Sequence, residues 1–151
     1  MKTTRTAAAT LAGLLLAGLA APAMAHHAFA AEFDGKAPVL LRGRVTKVEW
    51  INPHAWIHMQ VAAPGKAPQE WMVEGGTPNT LLRGGINRNS LKPGVEIVVR
   101  GYQSKDRLCL PACKANGRDV TFPDGRKLFM GSSGTGAPRD GSDPNEPPRR
   151  P

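Results

Sequence analysis

The sequence predicts a mainly β protein: a small five-stranded OB-like antiparallel barrel with one short helix between strands 3 and 4. Runs of β-branched and aromatic residues are separated by turns rich in Gly and Pro. The first run, residues 39–51, loses its alternation of apolar and polar residues between Val45 and Val48, as a bulge in a curved strand would cause. A Gly- and Pro-containing stretch that suits a short helix follows Glu74.

The first three predicted strands form a meander. Gly43 is a natural place for curvature in the first strand, and Asn52-Pro53 ends that strand because proline cannot donate to a ladder. The second strand, residues 55–61, alternates cleanly, and residues 70–74 form the third. The alternation predicts an apolar face on the second strand, formed by Ala55, Ile57, Met59 and Val61. The opposite face is mixed and consists of His54, Trp56, His58 and Gln60.

The predicted helix follows the meander directly. Thr77 suits its N-cap, Pro78 its first position and Gly84 its end, which leaves room for one or two turns. A fourth strand follows at residues 95–102. Residues 104–116 are then expected to form a loop, and residues 119–129 a last hairpin.

The N-terminal residues resemble an export signal. Basic residues precede an apolar run, Ala7 to Ala20, which has the length of a signal-peptide core and is too short to span a bilayer. Cleavage after Ala23 would release Met24, and cleavage after Ala25 would release His26; we favour the second. We therefore predict a signal peptide over residues 1–25, a periplasmic or secreted bacterial location, and no membrane span in the mature chain.

The rest of the chain divides into a folding part and a tail. Residues 26–131 are expected to form one OB-like β domain with an N-terminal arm. Residues 132–151 are Gly, Ser, Pro and charged residues without a large apolar side chain, which predicts a disordered tail. The formal net charge of +8 falls to +6 without Lys2 and Arg5, and the domain carries all of it. Such a charge attracts anionic partners, whereas export and scattered charges argue against nucleic acid.

All four histidines occur in two pairs, His26-His27 and His54 with His58. A mature N-terminal His26 would offer its amine and a ring nitrogen to one metal ion, and these ligands suit Cu(II). On a regular strand His54 and His58 lie roughly 13 Å apart, too far to bind one ion together. We expect His54, beside the turn, to join His26, with His27 and His58 as further candidates. The first functional hypothesis is thus a non-catalytic copper-binding protein.

The tryptophans support an alternative. Trp56 lies on the histidine face and Trp50 lies close by in sequence, so the two are candidates for an aromatic ligand face beside basic residues. OB barrels often bind ligands through aromatic stacking. The alternative function is an envelope interaction module for a partner protein or an anionic glycan. A simpler interpretation places at least two of the three tryptophans in the core.

Motifs for catalysis are absent from the sequence. It contains no G-x-S-x-G, Walker-type loop or H-E-x-x-H. We interpret the carboxylates near the tryptophans, Glu49, Glu70 and Glu74, as strand-edge charges that face water. Cys109 and Cys113 are the only cysteines and are candidates for a disulfide in an oxidising compartment, with metal binding as the other possibility.

Three motifs resemble a known group of proteins. They are HHAFAAEFD at residues 26–34, GRVTKVEWINPH at residues 43–54 and SLKPG at residues 90–94. Together they resemble small exported bacterial proteins catalogued only as a domain of unknown function. The resemblance supports cleavage before His26 and implies no established activity. The cysteine pair departs from the group's usual pattern, so no shared function is based on it.

Overall fold

The computed structural model describes residues 29–131. Predictions for the signal peptide, for His26 and His27 and for the tail lie outside these residues. The described part is mainly β with one short helix between the third and fourth strands, as predicted. Its elements are β1 (Phe33–Glu49), β2 (Trp56–Ala63), β3 (Lys66–Glu74), α1 (Pro78–Arg83), β4 (Glu96–Ser104), β5 (Cys113–Thr121) and β6 (Lys127–Phe129).

The six strands form one sheet whose order returns on itself. The order is β3-β2-β1-β4-β5-β6, and β3 also pairs with β5. The β3–β5 pairing is parallel, and every other neighbouring pair is antiparallel. Strands β1 to β5 therefore make a ring, as the OB-like prediction requires, and β6 is a short sixth strand added beside β5.

The start of β5 differs from the prediction. Residues 113–116 were expected to belong to a loop, but they form the first half of β5. This half lies in parallel register with the end of β3, from Trp71 opposite Cys113 to Glu74 opposite Asn116. Pairing with a distant strand gives this segment its extended structure, although its residues have weak β propensity of their own.

Strand β1 carries the predicted irregularity. Its register against β2 shifts between Val45 and Lys47, which is the place where the alternation of the sequence slips. Gly43 lets the two strands approach closely, because a Cβ atom at this position would lie 2.1 Å from the carbonyl oxygen of Gln60. The curvature of the ring thus begins with residues that the sequence singled out.

The hydrophobic core lies inside the ring and includes the predicted apolar face of β2. Ala55, Ile57 and Met59 are completely buried. Trp50 and Trp71 pack against the same core, in agreement with the simpler interpretation of the tryptophans. The core cluster is Leu41, Val45, Ala55, Ile57, Met59, Val73, Leu81, Ile86, Leu91, Ile97, Val99, Ala115, Val120, Phe122 and Met130.

Helix α1 has the predicted ends. The Thr77 side chain accepts a hydrogen bond from the backbone amide of Thr80, and Pro78 occupies the first turn. Gly84 caps the other end. Leu81 anchors the helix in the core. Within residues 29–131, no helix is long and apolar enough to cross a membrane.

The N-terminal arm packs on the domain through two phenylalanines. The Phe29 ring lies 5.8 Å from the ring of Phe33 and 5.7 Å from that of Tyr102. Phe33 is buried and already belongs to β1, which therefore begins six residues before the predicted Val39. The register of β1 against β4 shifts between Phe33 and Pro38, so the early start is an irregular continuation of the strand.

Candidate functional site

The polar face of β2 lies on the outside of the ring, opposite the buried Ala55 and Ile57. His54 belongs to the turn before β2, and Trp56 is the first residue of that strand. Both side chains are partly exposed, as is His58 further along β2. The predicted division of this strand into two faces is therefore confirmed.

His54 is held by a buried carboxylate. Its Nδ1 contacts Oε1 of Glu74, the last residue of β3, which lies opposite Trp56 in the β2–β3 register. Glu74 is only 6% exposed, so the interpretation that it faces water was wrong. The reason is the parallel pairing of β3 with β5, which covers the end of β3 on the side away from β2. Nothing in the local sequence reveals this covering strand.

The environment of Glu74 combines burial with polar contacts. Burial raises the pKa of its carboxyl, while the charge of His54 and a hydrogen bond from Asn116 act in the opposite direction. The Asn116 amide donates to Oε2 of Glu74 at 3.4 Å. Oδ1 of Asn116 is buried and has no hydrogen-bond partner among the described residues. Asn116 carried no signal in the sequence, because only the β3–β5 register places it opposite Glu74.

The N-terminal arm reaches the same surface. Nζ of Lys114 lies 3.2 Å from Oε1 of Glu32 and 6.0 Å from the centre of the Trp56 ring. Lys114 is two residues before Asn116 on β5, so it extends the surface built around His54. We call His54, Trp56, Glu74, Lys114 and Asn116 the His54 patch.

His58 has a different acidic neighbour. Its Nε2 is buried and lies 3.4 Å from Oε1 of Glu49, but it has no well-aligned hydrogen-bond partner among the described residues. Glu49 also pairs with Lys47, and the hydrogen bond from Lys47 lowers the pKa of the Glu49 carboxyl. The acidic contact of His54 is instead Glu74.

The two tryptophans of the candidate ligand face lie beneath different cations. The guanidinium of Arg88 lies 5.4 Å from the centre of the Trp50 ring, whereas Lys114 lies over Trp56. Trp50 also packs on the core, so its ring is shared between packing and this cation. Trp56 is the tryptophan that belongs to the His54 patch.

Within residues 29–131, no group of three or more His, Cys, Asp or Glu side chains could hold a metal ion. Among these residues His54 has a partner for Nδ1 and none for Nε2, and its side chain is 34% exposed. A metal ion bound by Nε2 would therefore need further ligands from outside the described residues, where His26 and His27 lie. A histidine whose other ring nitrogen contacts a carboxylate has the arrangement common in protein metal ligands.

The two cysteines form a crosslink that ends directly before Lys114 of the His54 patch. The structure joins Cys109 and Cys113 by a disulfide that closes a short loop between β4 and β5. Cys113 is buried at the start of β5, and Cys109 is partly exposed. The disulfide occupies both sulfur atoms as a covalent crosslink.

Comparison with known proteins places the chain in a family. The chain is thus a small β domain built on a ring of strands, with a partly exposed histidine on its outer face that contacts a buried glutamate. Residues 12–110 match the model of a family of unknown function (DUF6152), and the chain belongs to this family. The resemblance found from the three motifs is consistent with this match. The matched region ends at Leu110, so Lys114 and Asn116 lie beyond it. No curated protein matches the chain.

Proposed function

We propose that the exported, mature protein is a non-catalytic metal-binding protein, a carrier or sensor of copper. His26 would bind the ion through its free amine and its ring, and His54 would add a second imidazole. The observation that carries this proposal is the contact between Nδ1 of His54 and the buried carboxylate of Glu74, which leaves Nε2 for a ligand.

The contact favours metal binding because it fixes the ring before a metal arrives. A carboxylate on one ring nitrogen sets the tautomer and raises the basicity of the other nitrogen. Glu74 is itself held by Asn116, so the carboxylate has a defined orientation. Imidazole and amine nitrogens together suit Cu(II).

Chain length brings the predicted N-terminus within reach of His54. Glu32 follows His26 by six positions, and six residue steps span at most about 20 Å. Glu32 contacts Lys114, and Lys114 lies over Trp56, two residues from His54. The arm is thus anchored beside the His54 patch, and His27 is the next candidate ligand along it.

The test begins with the N-terminus of protein purified after export, determined by intact mass. Cu(II) affinity is then measured against a competing chelator for wild type, His26→Ala, His54→Ala and His58→Ala. We expect the first two variants to lose at least about tenfold in affinity and His58→Ala, whose acidic neighbour is Glu49, to match wild type. A mature chain that begins at Met24, or unchanged affinity in His26→Ala, would refute the proposal.

The role of Glu74 as a positioning residue has its own test. Glu74→Gln keeps the size of the side chain and removes its charge, so copper affinity should fall by about 10–100-fold. Electron paramagnetic resonance of the Cu(II) complex should also report a changed nitrogen environment, an effect that lower stability alone would not produce. Equal copper affinity and an unchanged spectrum in Glu74→Gln would contradict this role of Glu74. That result would not contradict copper binding by the amine and ring of His26.

A second candidate function is an envelope interaction module that binds a partner protein or an anionic glycan. It is favoured by Trp56, a partly exposed aromatic ring on the outer face with Lys114 above it. Binding of this kind should weaken with salt, survive a chelator and be lost in Trp56→Ala. Copper binding by the first mechanism should be abolished by the chelator, so pull-downs with and without it separate the two functions.

A further inference from the structure

The loop between β4 and β5 holds two leucines in solvent. Leu110 is 92% exposed and Leu108 is 64% exposed, more than any other large apolar side chain in residues 29–131. The other exposed members of that class are scattered through the fold, at Leu40, Ile51 and Leu82. Single exposed leucines are ordinary, but two within three residues of one loop are a local apolar feature.

The loop is fixed on both sides of the leucines. The Cys109–Cys113 disulfide closes it around Leu110. Before the disulfide, Asp106 accepts hydrogen bonds from the Ser104 hydroxyl at 2.7 Å and the Leu108 amide at 3.0 Å. These bonds and the crosslink hold the leucines away from the core, so their exposure is a property of the folded loop.

The base of the loop carries charges of both signs. Lys105 and Arg107 precede the leucines with Asp106 between them, and Arg107 forms a 2.6 Å ion pair with Asp34 of β1, so the positive charge available to a partner is that of the domain as a whole. Residues 29–131 as a whole carry a net charge of +6. Two neighbouring exposed leucines on a cationic domain complement a surface that is anionic at its face and apolar beneath.

We propose that this loop, residues 105–112, is a docking element for an anionic lipid surface, with Leu108 and Leu110 inserted among the acyl chains. Such a surface attracts the cationic domain over a distance and then buries the leucines at the boundary between head groups and acyl chains. Insertion of two exposed side chains into a lipid surface needs no matching pocket in the target. Docking is reversible, because two side chains bury little apolar area.

The test uses vesicles that contain about equal parts of phosphatidylglycerol and phosphatidylcholine, with pure phosphatidylcholine vesicles for comparison. All proteins carry the same N-terminus, checked by intact mass. Wild type should cosediment with the anionic vesicles, less so at high salt, and only weakly with the neutral ones. Leu110→Ser should weaken association by about tenfold, and Leu82→Ser, which alters an exposed leucine of α1, should leave it unchanged.

Thermal unfolding should show that both variants remain folded. Wild-type levels of vesicle binding in Leu110→Ser, or equal losses in both variants, would overturn the proposal. The same follows if wild type fails to bind anionic vesicles, or if Leu110→Ser abolishes self-association or capture of a protein partner in the absence of lipid. The proposed copper ligands His26 and His54 lie outside this loop and Leu110→Ser leaves both in place, so this outcome is distinguishable from the tests of His26 and His54.

Discussion

Replacement of Gly43 by alanine should strongly destabilise the domain. The new Cβ would lie 2.1 Å from the Gln60 carbonyl oxygen, and because Cβ atoms do not approach closer than 3.0 Å, the strands must separate by about 1 Å. β1 pairs on both sides here, with Val61 of β2 and Ile97 of β4. Weakening about two ladder hydrogen bonds, at about 1 kcal/mol each, adds to about 1–3 kcal/mol of overpacking strain. The expected loss is about 3–5 kcal/mol.

Equilibrium unfolding in urea, followed by tryptophan fluorescence, measures this loss. Gly65→Ala is the matched control, because Gly65 has a φ of +70° and nothing within 4 Å of an added Cβ. The control should lose only the penalty for a left-handed conformation, roughly 1–2 kcal/mol. A Gly43→Ala variant that loses no more stability than Gly65→Ala would show that the close contact with Gln60 adds no large penalty, and the steric argument would be refuted.

Three further changes test the packing, the crosslink and the pH dependence. Ile57→Ala empties a completely buried position and should lower the free energy of unfolding by about 2–5 kcal/mol in urea titrations, and a loss below 1 kcal/mol would contradict its place in the core. Replacing Cys109 and Cys113 by serine should cost about 2 kcal/mol, because the disulfide closes only a short loop, and an equal midpoint with and without the crosslink would contradict this. Hydrogen bonds from the side chain of Ser104 and the backbone of Leu108 lower the pKa of Asp106, so this carboxylate stabilises the fold above its ordinary pKa of 3.8 and that stability disappears as the pH falls through the lower folded value. Asp106→Asn should therefore be less stable than wild type at neutral pH and approach it in acid, and a difference independent of pH would refute this interpretation.

Local signals in the sequence predicted much of the fold. The alternation in β2 identified the buried Ala55, Ile57 and Met59 because a strand with one covered face repeats every two residues. The ends of α1 were recognisable because capping depends on residues within one turn, here Thr77 and Gly84. Both features are decided by neighbours in the chain, so a single sequence contains the information.

The His54 patch was only partly predictable for the opposite reason. His54 and Trp56 were identified from their own strand pattern, but Glu74 was expected in water and Asn116 was assigned to a loop. Their positions depend on the parallel register between β3 and β5, two strands about forty residues apart in the chain. No periodicity within either strand specifies which distant strand lies beside it, and the N-terminal half of β5 lacks β-branched residues.

The choice of a carboxylate at position 74 argues for a use beyond stability. A glutamine could accept from His54 through its amide oxygen and donate through its amide nitrogen to Oδ1 of Asn116, without the cost of removing a charge from water. The buried carboxylate differs from that amide in one useful respect: it polarises the His54 ring and makes Nε2 a stronger donor to a cation. The N-terminal arm is anchored to Lys114 beside the ring. A cation bound between the arm and His54 would offset part of the free energy lost when the Glu74 carboxylate is removed from water. The buried carboxylate beside His54 therefore supports the proposed metal site over a purely structural ion pair.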